Sequence, residues 1–220
     1  MTSLKRKAGR YHHGRLKEAL ISAGRALLEQ RGLQGFTLRE CARRARVSHA
    51  APAHHFGSVD DLLAEIAAQG FDELAAAMDA SAAGNDDPAK RLIALGRGYV
   101  GFAIENKAVF HLMFNRKTPG EANERLARAG KAAYARLADG IDSVVPDGSH
   151  AAKQAMADLA WAGVHGFAML AQGGQLDRDG PADPTFKRRL DLLLESIVAA
   201  IGLARGEIGS GRHTSGNSRR

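Results

Sequence analysis

Apolar residues recur at helical spacing along almost the whole chain of 220 residues, and this periodicity constrains the fold more than any other feature. Alternation of apolar and polar positions is rare, β-branched residues are sparse, and Ala, Leu, Arg and Glu dominate. This composition favours helices over strands. A chain of this length can bury a core of its own. The sequence therefore predicts an all-α fold of about nine helices.

Capping signals divide the pattern into separate helices. Thr37 with Glu40, and Ser58 with Asp61, have the spacing of a capping box. Two Asp-Pro pairs, at 87–88 and 183–184, place a capping residue before a proline that suits the first helical turn. The polar ends, residues 1–10 and 206–220, are predicted to be disordered. The predicted helices span residues 15–30, 38–45, 49–55, 58–80, 88–105, 107–115, 120–144, 149–172 and 184–204.

Positive charge is concentrated in the first quarter of the chain. Residues 1–60 hold 12 Lys and Arg against 4 Asp and Glu, a balance of +8, whereas the remaining residues hold 19 and 20, a balance of −1. A basic segment on a nearly neutral body favours a polyanionic partner such as DNA. A solvated basic surface without a partner is the alternative interpretation.

The basic segment contains the layout of a helix-turn-helix. Two short predicted helices, 38–45 and 49–55, follow a longer amphipathic helix. In the second short helix, Ala methyl groups suit contact with thymine methyls, and Ser or His suits a hydrogen bond to a base edge or a phosphate. Exposed arginines and histidines without a function are the alternative. The candidate DNA-binding residues are Tyr11, His12, Arg15, Thr37, Arg39, Arg43, Arg44, Arg46, Ser48, His49, Ala50, Ala51, His54 and His55.

A second candidate site lies in the C-terminal half. Trp161 and His165 are four residues apart and share one helix face, and Gly166 would let another element approach the backbone. Small-molecule sites are usually apolar cavities with one or two polar groups. Ordinary core packing, with a hydrogen-bonded histidine, is the alternative. The candidate ligand-binding residues are Phe102, Phe110, His111, Met113, Phe114, Trp161, His165 and Met169.

Other patterns point away from catalysis and cofactors. The spaced glycines of residues 96–101 match a dinucleotide-binding loop, but such a loop follows a strand. Here they fall in a predicted helix, where close helix packing or ligand access explains them better. The adjacent histidine pairs lack the i, i+4 spacing of a helical metal site, and no set of nucleophile, base and acid stands out. We therefore expect no metal, no cofactor and no enzymatic activity.

The compartment is predicted from cysteine usage and apolar runs. Cys41 is the only cysteine, which excludes an internal disulfide framework and suits a small buried residue. The longest apolar run, 159–171, is interrupted by His165 and is shorter than the roughly 20 residues that span a bilayer. No apolar leader follows Met1. We expect a cytoplasmic protein without a membrane partner.

The segment from Tyr11 to about Phe71 resembles the N-terminal domain of TetR-family transcriptional regulators. The matching strings are YHHGRLKEAL, LLEQRGLQGFTLRECARRARVSHAAPAHHF and SVDDLL. The strings WAGVHG and FHLMF resemble the TetR subgroup whose C-terminal domain is named for a Trp-His-Gly motif. The resemblance covers residues 11–204, most of the chain.

The resemblance implies an all-helical homodimer. Residues 11–57 would bind DNA, 58–80 would form a linking helix, and 81–205 would form the domain for ligand binding and dimerisation. The expected function is a repressor that binds a palindromic operator and is released by a small apolar ligand. We place the dimer interface on the last two helices, at Phe167, Leu170, Phe186, Leu190, Leu194, Ile197 and Ile201.

Four positions depart from the family pattern. Ala53 stands where the family usually has an aromatic residue, Val59 where it often has Lys, and Arg46 where the turn has Gly; Pro52 removes a hydrogen bond from the recognition helix. These departures motivate an alternative, a small-molecule-binding helical protein or enzyme with a degenerate DNA-binding head. A third interpretation is a nucleoid-type protein that coats DNA without sequence preference.

Overall fold

The computed structural model describes residues 4–115, 124–176 and 183–210, with side chains for 16–115, 124–176 and 183–203. Within these ranges the chain is helical and contains no strand, which confirms the predicted all-α class. The elements are α1 (Leu4–Arg31), α2 (Leu38–Arg44), α3 (Val59–Ala82), α4 (Pro88–Glu105), α5 (Lys107–Met113), α6 (Glu124–Val144), α7 (His150–Gln172) and α8 (Pro184–Ser210), with 3-10 turns at Leu33–Gly35 and Pro52–His54.

The capping residues lie where the sequence predicts them. The Thr37 hydroxyl accepts a hydrogen bond from the backbone N–H of Glu40 at 3.1 Å, and Ser58 does the same for Asp61 at 3.1 Å. The carboxylates of Asp87 and Asp183 each cap a helix whose first residue is proline. Each cap satisfies a backbone donor that a helix start leaves unpaired.

Three boundaries differ from the prediction. Helix α1 begins at Leu4, because residues 4–10 contain helix-forming Lys, Arg and Ala and a single glycine, and α8 continues to Ser210. The predicted helix 49–55 is a turn followed by the 3-10 segment Pro52–His54. Residues 116–123, which include the predicted start at 120, lie outside the described part, as do 177–182 and the predicted tail from 211.

The chain forms two compact units. The first comprises residues 1–72 and 106–130. Its helix α1 packs against α2 and α5. Leu20, Leu27, Ile66 and Phe110 are fully buried within it, so α1 and α3 give the short helix α2 a fixed support.

The second unit comprises residues 73–105 and 131–220. In it α4 packs against both α7 and α8, and α7 packs against α8. Gly96 lies under the side chain of Leu194, and Gly163 lies against Ile197. The small residues of α4 and α7 therefore allow close approach of α8. Among the described helices, none combines the length and apolar character needed to span a bilayer.

Candidate nucleic-acid interface and sensor cluster

The turn after α2 is closed by two backbone hydrogen bonds. The N–H of Val47 donates to the carbonyl of Ala42 at 3.0 Å, and the N–H of Arg46 donates to that of Arg43 at 3.2 Å. This pair of bonds defines a Schellman motif, in which one residue adopts the left-handed conformation. That residue is Arg46, with φ of 57°. In the sequence, Arg46 stands in place of the turn glycine of the family that the chain resembles, and the left-handed φ explains why glycine suits this position.

The recognition segment, residues 48–55, follows this turn and is held by i to i+3 bonds. The N–H of Ala51 donates to Ser48 at 3.0 Å, and that of His55 donates to Pro52 at 2.9 Å. An α-helix would instead need an N–H at position 52 to reach the Ser48 carbonyl, and proline has none. Pro52 therefore explains why a 3-10 turn replaces the predicted α-helix.

Burial divides the candidate residues of the recognition segment. Ala51 is 7% exposed and belongs to the core, so its methyl group is not presented to a base edge. His55 is half-buried beside Phe56, with ring centroids 6.5 Å apart. Four candidates are exposed and make up the accessible surface of the segment: Ser48, His49, Ala50 and His54.

The arginines of α2 are not equivalent. Arg43 forms a bidentate pair with Glu40, with nitrogen–oxygen distances of 2.5 and 2.9 Å. The hydrogen bond from Arg43 is the main cause that lowers the pKa of Glu40 below its ordinary value. Arg39 is exposed and Arg44 is half-buried.

Other candidate positions serve structure or lie outside the described side chains. The hydroxyl of Thr37 is committed to capping α2. Tyr11, His12 and Arg15 lie on α1, but their side chains fall outside the described part. Cys41 is fully buried, and burial raises the pKa of its thiol to about 11. A thiol with so high a pKa is unreactive near neutral pH, which agrees with a packing role.

The sensor cluster consists of Tyr99, Tyr134, Gln154, Trp161 and His165, all in the second unit. The Tyr99 hydroxyl lies 2.9 Å from Nδ1 of His165 and is also hydrogen-bonded to Trp161. Because the indole N–H only donates, the hydroxyl accepts the hydrogen bond from Trp161. Burial raises the pKa of Tyr99 above its ordinary value, and the hydrogen bond with Trp161 offsets part of this rise.

The exposed side of the cluster lies around the indole. Trp161 is 41% exposed, and its ring centroid lies 6.1 Å from that of Tyr134 and 6.4 Å from that of His165, both edge to face. The Gln154 amide donates to the Tyr134 hydroxyl and to Asp158, each at 3.0 Å. Sequence reasoning missed Tyr99, Tyr134 and Gln154, because helix periodicity does not show which faces of distant helices meet.

The remaining ligand candidates belong to separate environments. Phe102 is buried in the second unit, where Met169 is exposed. In the first unit, Phe110 and Met113 are buried, Phe114 is half-buried with its ring 4.9 Å from that of Phe110, and His111 is exposed. A Cβ placed on Gly166 would meet nothing within 4 Å, so no described part of the chain makes the close approach that this glycine would permit.

The predicted dimer residues of α8 are buried within the protomer and do not face a partner. Five of them are buried, because α8 turns its apolar stripe toward α4 and α7: Phe186, Leu190, Leu194, Ile197 and Ile201. Phe167 is half-buried, with its ring 5.3 Å from that of Phe186. Leu170 is 45% exposed and stays available to a partner. Within the described ranges, no group of three or more His, Cys, Asp or Glu residues is placed to hold a metal ion.

Together these features define an all-helical protein with an N-terminal helix-turn-helix and a separate helical unit after it. Residues 20–66 match the family described as bacterial regulatory proteins, tetR family. Residues 92–193 match the tetracyclin repressor-like C-terminal domain, and this match includes Trp161–Gly166. The chain belongs to the TetR family of DNA-binding transcriptional regulators. No protein of curated function matches the chain.

Solved structures support the assignment. A protein of unknown function from Rhodococcus sp. RHA1 is 32% identical, with a TM-score of 0.71 over 89% of this chain and 97% of that chain. A transcriptional regulator from the same source is 24% identical, with a TM-score of 0.62 over 84% and 95%. The TetR-family regulator PfmR from Thermus thermophilus is 17% identical, with a TM-score of 0.57 over 83% and 96%. At these identities the two regulators show the shared fold.

The Tyr99 hydroxyl gives a testable prediction for the sensor cluster. We expect Tyr99→Phe to lower the free energy of unfolding by about 1–3 kcal/mol, because it removes two hydrogen bonds, one with the half-buried His165 and one with Trp161, each worth about 0.5–1.5 kcal/mol. Trp161 is the only tryptophan, so its emission should change in the same variant. Tyr134→Phe is the matched control, since that hydroxyl is half-exposed and pairs with an exposed amide. Equal losses in urea titrations of both variants would contradict the prediction.

Proposed function

We propose that this protein is a repressor that binds a palindromic operator as a homodimer and is released by a small, largely apolar ligand. The observation that carries the proposal is the exposed basic helix-turn-helix, in a chain whose family consists of DNA-binding regulators. Its role is binding rather than catalysis, and it acts in the compartment that holds the chromosome. In this proposal the DNA-binding domain comprises residues 11–57. A helix at 58–80 links it to residues 81–205, which bind the ligand and form the dimer.

Contact with DNA is assigned to two kinds of side chain. Arg39, Arg44 and Arg15 neutralise phosphates, and Tyr11 and His12 hydrogen-bond to them, which positions the head on the duplex without reading sequence. Arg43 also contacts a phosphate when its ion pair with Glu40 opens. Exposed residues of the recognition segment reach the base edges: Ser48, His49, Ala50 and His54.

Dimerisation is assigned to the outward faces of α7 and α8, which we call the dimer face. On α7 it comprises Leu159, Ala162, Gly166, Met169 and Leu170, all on one side of the helix. On α8 it comprises Leu192, Ala199 and Leu203. Five of the seven large apolar residues that are exposed in the described part lie on this face, whereas Trp161 of α7 belongs to the sensor cluster. Concentrated apolar exposure marks an interaction surface, and open space at Gly166 permits close approach of a second copy.

Ligand binding is assigned to the sensor cluster. Trp161 and Tyr134 offer partly exposed aromatic surface, and His165 and Gln154 offer polar groups that orient a ligand. A ligand there should change the emission of Trp161, which makes binding directly measurable.

The deciding experiment is a selection of the purified protein on random-sequence duplex DNA at near-physiological salt, followed by sequencing. Enrichment of an inverted repeat establishes a dimeric, sequence-reading regulator, because half-sites about 34–36 Å apart mirror the twofold axis of the protein. The enriched duplex then allows ligands to be screened for release. Tight binding without enrichment would indicate a protein that coats DNA.

Two observations favour the second candidate, a small-molecule-binding protein with a degenerate head. Ala53 is exposed and offers only a methyl group, and the recognition segment lacks a regular α-helix. This candidate predicts weak binding that is indifferent to sequence, together with ligand-dependent emission from Trp161. The regulator predicts a steep salt dependence and a large preference over random DNA.

A further inference from the structure

Arg46 occupies a backbone conformation that the rest of the described chain gives only to glycine. Its φ is 57°, whereas the other positive values, 62°, 75° and 69°, belong to Gly32, Gly84 and Gly174. In this conformation the Cβ of an L residue lies too close to the following carbonyl oxygen. The arginine is therefore kept at a local energetic disadvantage.

The turn itself does not require an arginine. The same pair of hydrogen bonds closes the end of α7, where the N–H of Gln175 donates to Leu170 and that of Gly174 donates to Ala171, each at 3.0 Å. The left-handed residue of that turn is Gly174. Glycine thus completes the same motif without strain, and the geometry of the turn leaves the arginine unexplained.

The side chain of Arg46 is available for a partner. It is exposed and forms no hydrogen bond or ion pair with the part of the chain that the structure describes. Arg43, three residues earlier, is instead held by Glu40. A free guanidinium presents five N–H donors and suits a phosphate.

The surrounding charge makes this position special. Arg46 is the last Lys or Arg before Lys90, so the whole recognition segment and the whole of α3 carry no permanent cation. Arg46 is therefore the permanent positive charge nearest along the chain to the residues that would enter the groove.

We propose that Arg46 is a phosphate-binding residue at the helix-turn-helix turn, retained at the expense of stability. This inference rests on the proposed DNA-binding function. A purely structural alternative exists, because a cation beside the C-terminus of α2 interacts favourably with the helix dipole. The two explanations predict opposite effects on stability when the arginine is replaced by glycine.

The test compares Arg46→Gly, Arg46→Asn and Arg46→Lys by thermal unfolding and by binding to a random-sequence duplex at several salt concentrations. Arg46→Gly relieves the strain, and we expect its Tm to rise by about 1–4 °C. Arg46→Asn, which tolerates the left-handed region, should also be at least as stable as the natural protein. Arg46→Lys should bring no gain in Tm.

Loss of one phosphate contact should reduce the slope of log K against log salt by about 0.9, which corresponds to about fivefold weaker binding at 0.15 M salt. We expect this for Arg46→Gly and Arg46→Asn, and an unchanged slope for Arg46→Lys. Arg91→Asn, an exposed arginine of α4, is the control that removes the same charge from the second unit and should leave the slope unchanged.

Two results would overturn the inference while leaving the proposed function intact. In the first, the natural protein binds DNA and Arg46→Gly shows the same slope of log K against log salt as the natural protein. In the second, Arg46→Gly lowers the Tm. Failure of the folded natural protein to bind any duplex would remove the proposed function and the inference together. A higher Tm with a shallower slope in Arg46→Gly supports it.

Discussion

Leu170→Arg should convert the proposed homodimer into monomers. Leu170 lies on the dimer face and is 45% exposed in the protomer. In a twofold interface one substitution acts twice, and it would set two unpaired arginines in apolar surroundings. We expect the dimer dissociation constant to rise by about 100- to 3,000-fold, equivalent to about 3–5 kcal/mol. Sedimentation equilibrium measures this change directly.

Folding should survive this substitution, because Leu170 is not part of the protomer's core. Circular dichroism should therefore show unchanged helix content. Leu33→Arg is the matched control, since Leu33 has a similar exposure of 42% but lies in the first unit, and it should leave the dimer intact. Selected DNA should bind Leu170→Arg much more weakly, because one protomer reaches one half-site. A variant that stays dimeric would remove α7 from the proposed interface.

Helix positions were predictable from sequence because the signals that set them are local. Thr37, Ser58, Asp87 and Asp183 cap helices through backbone donors two or three residues away. Such contacts depend only on residues close in sequence, so a capping residue before an apolar period is sufficient evidence. The ends of α1 and α8 lack comparable stop signals, and there the predicted boundaries fell short.

In the recognition segment the loss of one hydrogen bond outweighs the helical pattern. The sequence predicts an α-helix over 49–55, although Pro52 removes one hydrogen bond from it. In so short a segment one missing bond is a large share of the total, and the i to i+3 bonds of a 3-10 turn replace it. At Arg46 the expectation of a turn glycine comes from the family resemblance, and the left-handed φ of 57° explains why a glycine suits this position.

Contacts between distant helices could not be predicted. The sequence correctly predicts an apolar stripe on α8. An amphipathic pattern does not show, however, whether that stripe packs against the same protomer or against a second copy. The structure turns Leu194 and Ile197 toward α4 and α7, which leaves the opposite faces for a dimer. Likewise the pairing of Tyr99 with His165 depends on the packing of α4 on α7.

Gly98→Ala should destabilise the second unit, in spite of the better helix propensity of alanine. A Cβ on Gly98 would lie 2.6 Å from the carbonyl oxygen of Ala77 and 2.8 Å from Cα of Met78. These are backbone atoms of α3, which cannot rotate away as a side chain does. Overpacking of this kind costs about 1–3 kcal/mol or more, which exceeds the roughly 1 kcal/mol gained in propensity.

Gly101→Ala supplies the matched control for that substitution, because both glycines lie within α4 and gain the same propensity. A Cβ on Gly101 would meet nothing within 4 Å, so we expect this variant to be more stable than the natural protein by about 0.5–1 kcal/mol. Because the gain in propensity is the same in both, urea unfolding should separate the two variants by the overpacking cost of about 1–3 kcal/mol. Such a difference assigns the glycine at 98 to close packing of α4 on α3 and removes the nucleotide-loop interpretation of residues 96–101. Equal shifts in both variants would show that α3 and α4 tolerate a side chain at their contact, and the packing explanation of Gly98 would be wrong.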